Sequence, residues 1–202
     1  MMVIGITGPT GAGKTTFLNE VAKLGGAVID CDAVYHEMLR SDLTLQDRLE
    51  NAFGPLRDST GYVDRKKLGA IVFRDPSKLS KLNNIAQNAV VFQTQKLIET
   101  YQKQGNDVIA IDAIALLESP LKELCKLTVA VLAPPETRVN RIMMREGISE
   151  DYAWARVRAQ KPDEYFSQNC NITLRNDCAN AEEFAQRVHQ YLQQIIQKEV
   201  IL

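Results

Sequence analysis

Gly8-Pro9-Thr10-Gly11-Ala12-Gly13-Lys14-Thr15 stands between an apolar run of strand length, Val3-Ile4-Gly5-Ile6-Thr7, and a helical pattern from Lys14 to Leu24. The octet fits G-x-x-x-x-G-K-[ST], the P-loop pattern. Its glycines let the backbone curl, so that the N–H groups of residues such as Gly11, Ala12 and Gly13 face one anion. The helix that follows adds its positive N-terminal end. In such a loop the Lys14 ammonium reaches the β- and γ-phosphates of a nucleotide, and the Thr15 hydroxyl ligates Mg2+. The strand before the loop and the helix after it favour phosphate binding over a Gly-rich structural turn.

Outward from the loop, four more short apolar runs read as strands: Ala27–Asp30, Val108–Asp112, Leu127–Ala133 and Asn171–Leu174. They are continuous rather than alternating, which suits parallel strands buried on both faces. Helical patterns lie between them, over 33–39, 79–101, 137–146 and 150–160, and a last apolar stripe runs from Phe184 to Ile196. Strands alternating with helices predict an α/β fold with a five-stranded, mostly parallel sheet flanked by helices. Residues 41–104 exceed what a crossover requires. They read either as an inserted helical lobe that receives an acceptor substrate, or as a long packed crossover. The expected organisation is a single domain over 1–202. Its core is about 1–40, 105–136 and 170–202, its helical lobe about 41–104 and its lid about 137–169.

Two carboxylate positions stand where an α/β sheet binds ligands, at the carboxyl ends of strands. Ile29-Asp30-Cys31-Asp32 ends the second strand. Asp32, at a helix start, is the better candidate to deprotonate an attacking hydroxyl, and it is also an acceptable N-cap. Asp112 ends Val108-Ile109-Ala110-Ile111 and reads either as a Walker-B-type Mg2+ carboxylate or as a structural one. Glu118 is either a supporting group for that metal or a surface residue.

Thr137–Lys161 holds six basic residues (Arg138, Arg141, Arg145, Arg156, Arg158, Lys161) against three acidic ones (Glu146, Glu150, Asp151), a local net of +3. Arg138, Arg141 and Arg145 share a helix face by spacing. That face either closes over a nucleotide or is a solvated face paired with its own acids.

Composition bounds the rest. The 202 residues carry 24 Lys+Arg and 25 Asp+Glu, a net charge of -1, with 45% hydrophobic residues. Dominant disorder and a broadly basic nucleic-acid surface are both disfavoured. The near-zero sum hides opposed local charges, since residues 162–202 carry three basic and six acidic residues, or -3. The best apolar run, Val108–Leu117, is interrupted by Asp112, so no membrane span is expected. Cys31, Cys125, Cys170 and Cys178 form no C-x-x-C pair, and His36 and His189 lack zinc-ligand spacing. Reduced thiols and a cytoplasmic location are expected, because no basic segment precedes Val3 as a secretory leader requires.

Together these segments resemble the dephospho-coenzyme A kinases over nearly the whole chain. The resemblance rests on Ile6-Thr7-Gly8 through Thr16, on Gly25-Gly26-Ala27-Val28-Ile29-Asp30-Cys31-Asp32, and on Gly61-Tyr62-Val63-Asp64-Arg65 with Leu68 and Val72-Phe73. It continues through Asp112 to Leu116-Leu117-Glu118-Ser119, then Thr137 to Arg141, Arg145, Ala153, Arg156 and Gln160, and Asn176-Asp177. It implies a P-loop kinase fold and transfer of the ATP γ-phosphate to the ribose 3′-hydroxyl of dephospho-CoA. It maps Asp32 to the base, and Lys14, Thr15 and Thr16 to the phosphate loop with Mg2+ at Thr15 and Asp112. Arg141 falls on the lid and Asn176 near the adenine. ATP and dephospho-CoA are then the partners of a monomer or weak homo-oligomer, with no nucleic acid and no membrane. The sequence departs from the family at His36, where an Arg is usual, at Ala86-Gln87-Asn88, in place of T-H-P, and at Ile114, in place of Pro. The first two segments lie on the acceptor side. A kinase of another small acceptor, such as a nucleoside monophosphate, and a non-catalytic nucleotide-binding module are the alternatives.

Overall fold

The computed structural model describes residues 1–200; residues 201–202, the end of the segment expected in the core, lie outside the described residues. The strands are β1 (Met2–Thr7), β2 (Ala27–Asp30), β3 (Val108–Asp112), β4 (Leu127–Leu132) and β5 (Ile172–Arg175). They form one sheet in the order β2-β3-β1-β4-β5. β1 pairs in parallel with β3, Ile6 opposite Asp112, and with β4, Ile6 opposite Val129; β4 pairs in parallel with β5. Every residue of β1 is buried, as a central strand covered on both faces requires. β3 and β4 flank β1 on opposite sides, so the loop leaving β1 emerges at the point where strand order reverses, where such sheets bind ligands.

The chain divides into two compact units, Met1–Ile29 with Ile98–Leu202, and Asp30–Leu97. In the first, α1 (Lys14–Lys23) and the last helix, Ala181–Val200, cover the sheet. Phe17 and Val21 meet Phe184, Val188 and Leu192 there, beside Ile4, Ile6 and Val131, and all of these are essentially fully buried. Burying side chains of this size contributes about 1.5–3 kcal/mol each. The apolar stripe read from 184 to 196 is therefore the face that holds the loop-bearing helix against the sheet.

The second unit is helical: α2 (Cys31–Ser41), α3 (Leu43–Phe53), α4 (Arg65–Val72) and most of α5 (Pro76–Lys103). Met38, Leu45, Leu49, Leu56, Leu68 and Val72 form its core. Asp42 and Asp64 cap α3 and α4 by accepting main-chain N–H bonds.

The start of α2 corrects the sequence reading. The helix begins at Cys31, and Asp30 is its N-cap, accepting the Ala33 N–H at 2.9 Å. Asp32 lies inside the first turn, so the two aspartates are not alternate residues of one extended strand. The remaining helices are α6 (Pro135–Glu146), α7 (Glu150–Arg158), α8 (Asp163–Asn169) and α9 (Ala181–Val200). Among the described residues no helix is long and apolar enough to cross a membrane, and the four cysteines are thiols.

Candidate active site

The loop between β1 and α1 is held from outside by its carbonyl groups. Lys14 Nζ donates to Gly8 O at 2.8 Å and Pro9 O at 3.2 Å. Arg138 Nε donates to Thr10 O at 3.1 Å. Arg141 Nη1 donates to Gly11 O at 3.1 Å and Ala12 O at 3.3 Å, and Asn176 Nδ2 donates to Ala12 O at 2.8 Å. A trans peptide plane sets one residue's C=O opposite the next residue's N–H. Drawing the carbonyls of Thr10 and Ala12 outward therefore turns the N–H groups of Gly11 and Gly13 to the other side, where an anion at the helix N-terminus would sit, while the Ala12 N–H donates back to Pro9 O at 3.3 Å.

Two glycines make this path possible. Gly13, the N-cap of α1, has φ +111°, and a Cβ there would lie 2.4 Å from Asn176 Nδ2. Gly8 has φ +134°, and its Cβ would meet Val131 O at 2.1 Å. No side chain fits either position, because the obstacle is buried amide or backbone.

Apart from Lys14 of α1, the donors come from two elements after β4 and β5. Pro134-Pro135 opens α6, and the three-residue spacing of Arg138 and Arg141 places both on the loop side. Burial pushes both guanidinium groups below the usual arginine value, opposed by Asp163 at Arg138 and by Cys178 at Arg141. Arg138 is only 4% exposed, and Asp163 stands 3.9 Å from its Nη1. Asn176 follows β5 and is buried, its own N–H donating to Leu132 O at 2.6 Å. Its Oδ1 accepts from Arg141 Nη2 at 3.2 Å. Arg145 does not join them. It pairs at 2.6 Å with Glu146, which also binds Arg156, on the exposed end of α6. The face read as three arginines is thus two inward arginines and one solvated ion pair.

Lys14, Gly11, Ala12, Gly13, Arg141 and Asn176 are in this way brought together in the first unit. Thr15 and Thr16 open α1, with Thr15 exposed. Asp112 closes β3 and is half-buried. Glu118 is exposed and accepts the Tyr165 hydroxyl at 2.6 Å, a bond that, with burial, pushes that phenol up to about 12. Asp32 belongs to the second unit, exposed in the first turn of α2, and His36 is exposed one turn on. Gln87 lies half-buried on α5, and Ile114 is 79% exposed. Two participants were not read as site residues from the motif alone, Arg138 and Thr10. The i, i+3 spacing to Arg141 is a signal for the first; the variable position of Thr10 within the motif hides the second.

The family model for dephospho-CoA kinase matches residues 2–182. The chain belongs to the dephospho-CoA kinase family. A dephospho-CoA kinase of Dehalococcoides mccartyi is 31% identical over 179 residues, covering 88% of this chain and 90% of that one. One of Carboxydothermus hydrogenoformans is 33% identical over 175 residues, covering 86% and 85%. Among solved structures, dephospho-CoA kinase from Campylobacter jejuni superposes with a TM-score of 0.71 at 23% identity, covering 98% of both chains. Shikimate kinase from Bacteroides thetaiotaomicron gives 0.56 at 16% identity, covering 95% of this chain and 98% of that one. The last two show the P-loop kinase fold.

Proposed function

We propose that this chain transfers the γ-phosphoryl group of ATP to the ribose 3′-hydroxyl of dephospho-CoA, releasing ADP and coenzyme A, the final step of coenzyme A synthesis. Family membership supports the reaction. The observation that carries the ATP side is the set of donors on the carbonyls of Gly8 to Ala12. A loop so held meets the phosphates with its amides already oriented, and preorganised donors are the largest single contribution to most phosphoryl transfers.

In this reading the amides of Gly11 and of Gly13 to Thr15 hold the β-phosphate. Lys14 exchanges its two carbonyl partners for phosphate oxygens, a charge-assisted bond for a neutral-acceptor one. Arg141 keeps the loop oriented and adds positive charge beside the phosphates, while Asn176 fixes Arg141 and borders the adenine. Asp32 orients the acceptor hydroxyl and takes its proton as the oxygen attacks phosphorus in line with the departing ADP. Because the cap of α2 falls to Asp30, capping does not compete with that role. Residues 41–104 form the acceptor-binding lobe and 137–169 the lid of one functional domain.

Thr15 and Asp112 offer a hydroxyl and a carboxylate, hard oxygen donors that fit Mg2+, which takes few protein ligands and keeps waters and phosphate oxygens. Held by Thr15 and Asp112, such an ion would supply neutralising charge to the nucleotide phosphates. Both substrates are small, and the reading calls for a monomer or weak homo-oligomer working in the cytoplasm.

ADP release, followed with dephospho-CoA and with a panel of nucleoside monophosphates, tests the acceptor. Release that depends on dephospho-CoA alone supports the proposal. Release driven by a monophosphate, or indifferent to every acceptor, overturns it in favour of another small-molecule kinase or a binding module.

A further inference from the structure

Gln160 lies two residues past the end of α7 and 150 positions from Thr10, yet it binds that residue twice. Its Oε1 accepts the Thr10 N–H at 3.1 Å, and its Nε2 donates to Thr10 Oγ1 at 2.7 Å. The same Oε1 accepts from Arg138 Nη2 at 2.6 Å, and Arg138 Nε donates to Thr10 O at 3.1 Å. The N–H, the carbonyl and the hydroxyl of Thr10 are therefore all engaged by one amide and one buried guanidinium. Asp163, the first residue of α8, balances that guanidinium at 3.9 Å.

The chemistry selects a primary amide. One end must accept from an N–H and a cation, and the other must donate to a hydroxyl oxygen. A lysine offers no acceptor, an asparagine is one methylene shorter, and a glutamate would require the Thr10 hydroxyl to turn from acceptor to donor. Thr10 itself occupies a variable position of the phosphate-loop pattern, so nothing in the motif demands this contact. Its peptide plane with Gly11 nevertheless carries one of the amides that faces the anion.

We infer that Gln160 is a positioning residue for the nucleotide. Acting through Thr10 and Arg138, it fixes the Thr10–Gly11 plane and ties the order of residues 137–160 to the order of the phosphate loop. Nucleotide phosphates bound on one side and the Gln160 amide on the other then stabilise the same loop conformation, so removing either loosens the other. The inference rests on the reading of the chain as an ATP-using kinase, but not on the identity of its acceptor.

The test is the dissociation constant of ATP, measured by calorimetry without acceptor, for wild type, Gln160→Met, Thr10→Val and the double variant. Methionine keeps the length and burial of Gln160 while removing both polar ends. The expected result is ATP binding weaker by about tenfold in Gln160→Met, equivalent to losing one or two ordinary hydrogen bonds. The kcat at saturating ATP and the KM for the acceptor stay within about threefold, a split that general destabilisation would not give. The double variant loses less than the product of the two single losses, because both remove the bond from Gln160 Nε2 to Thr10 Oγ1. Unchanged ATP affinity in Gln160→Met, or losses that multiply, overturns the inference. A Gln160→Met chain that does not fold is replaced by Gln160→Asn, which keeps the amide but is one methylene too short to hold Thr10 and Arg138 together. Weakened ATP binding there, matched by Thr10→Val, supports the inference, and wild-type affinity overturns it. A wild-type chain that binds no ATP overturns the parent reading, and this one with it.

Discussion

The Arg141 guanidinium donates to the main-chain carbonyl of Gly11 at 3.1 Å, across 130 residues of sequence. The bond lets a side chain from α6 decide which way a glycine amide plane faces in the phosphate loop. Arg141→Ala releases Gly11 O and Asn176 Oδ1 and leaves Ala12 O to Asn176 alone. Its kcat/KM for ATP is expected to fall by about 10²-fold, the range seen when one preorganised donor is lost. Arg141→Lys recovers little, since one ammonium does not span three acceptors as a planar fork does. Steady-state kinetics with ATP varied checks this, and a kcat/KM for ATP unchanged in both variants would contradict it.

Gly13→Ala places a Cβ 2.4 Å from Asn176 Nδ2 at a residue with φ +111°. Backbone strain of this kind costs about 1–3 kcal/mol, and the displaced amide loosens Ala12 as well. Thermal unfolding should show a clear drop in melting temperature, accompanied by loss of ATP binding. Full ATP affinity in a chain destabilised to that extent would separate the glycine from the phosphate site.

Asp30 and Asp32 are two residues apart with different tasks, and their variants should diverge. Asp30→Ala removes the cap of α2 and should cost about 1 kcal/mol of stability. Asp32→Asn should leave stability and ATP affinity near wild type while kcat falls by about 10²–10⁴-fold, as for loss of a general base. Denaturant titration and single-turnover kinetics distinguish the two. Equal kinetic losses in both variants would count against Asp32 as the base.

Glu20 on α1 is buried and holds Lys23 Nζ at 2.6 Å and His189 Nδ1 at 3.1 Å. Burial pushes its carboxyl up, but the bonds from Lys23 and His189 together outweigh burial and leave it below the ordinary value of 4.5. A carboxyl depressed in the folded state binds more protons when unfolded, so its contribution is present above pH 4.5 and is lost as the pH falls through the lower folded value. Glu20→Gln should therefore lower stability at neutral pH, with the gap to wild type closing in acid. Urea unfolding at several pH values reads this directly; a gap that widens in acid would reverse the sign.

Much of this arrangement is legible in the sequence because its signals are local and repeated. Continuous apolar runs mark the five strands, since a parallel sheet buried on both faces leaves no room for alternation. The glycines and Lys14 mark the loop, and the stripe from Phe184 to Ile196 marks the helix that backs it. What escapes is whatever depends on a single bond. Both Asp30 and Asp32 are acceptable caps by type, and only the turn geometry gives the bond to Asp30. Arg145 shares the spacing of Arg138 and Arg141, but Glu146, which it shares with Arg156, holds it at the solvent. Helix α8, seven residues with only Phe166 buried, is too short for a periodic pattern. The pairing of Gln160 with Thr10 leaves no trace in either residue's neighbourhood, because the chain brings them together across 150 positions.

The most direct measurement of the central claim is the structure of the product. Dephospho-CoA and ATP are incubated with the protein, and the new phosphate is located by phosphorus–proton correlation NMR while ADP is counted. The account predicts a single new phosphate on the ribose 3′-oxygen, one for each ADP released. A phosphate on any other atom, or ADP formed with dephospho-CoA recovered unchanged, would contradict it.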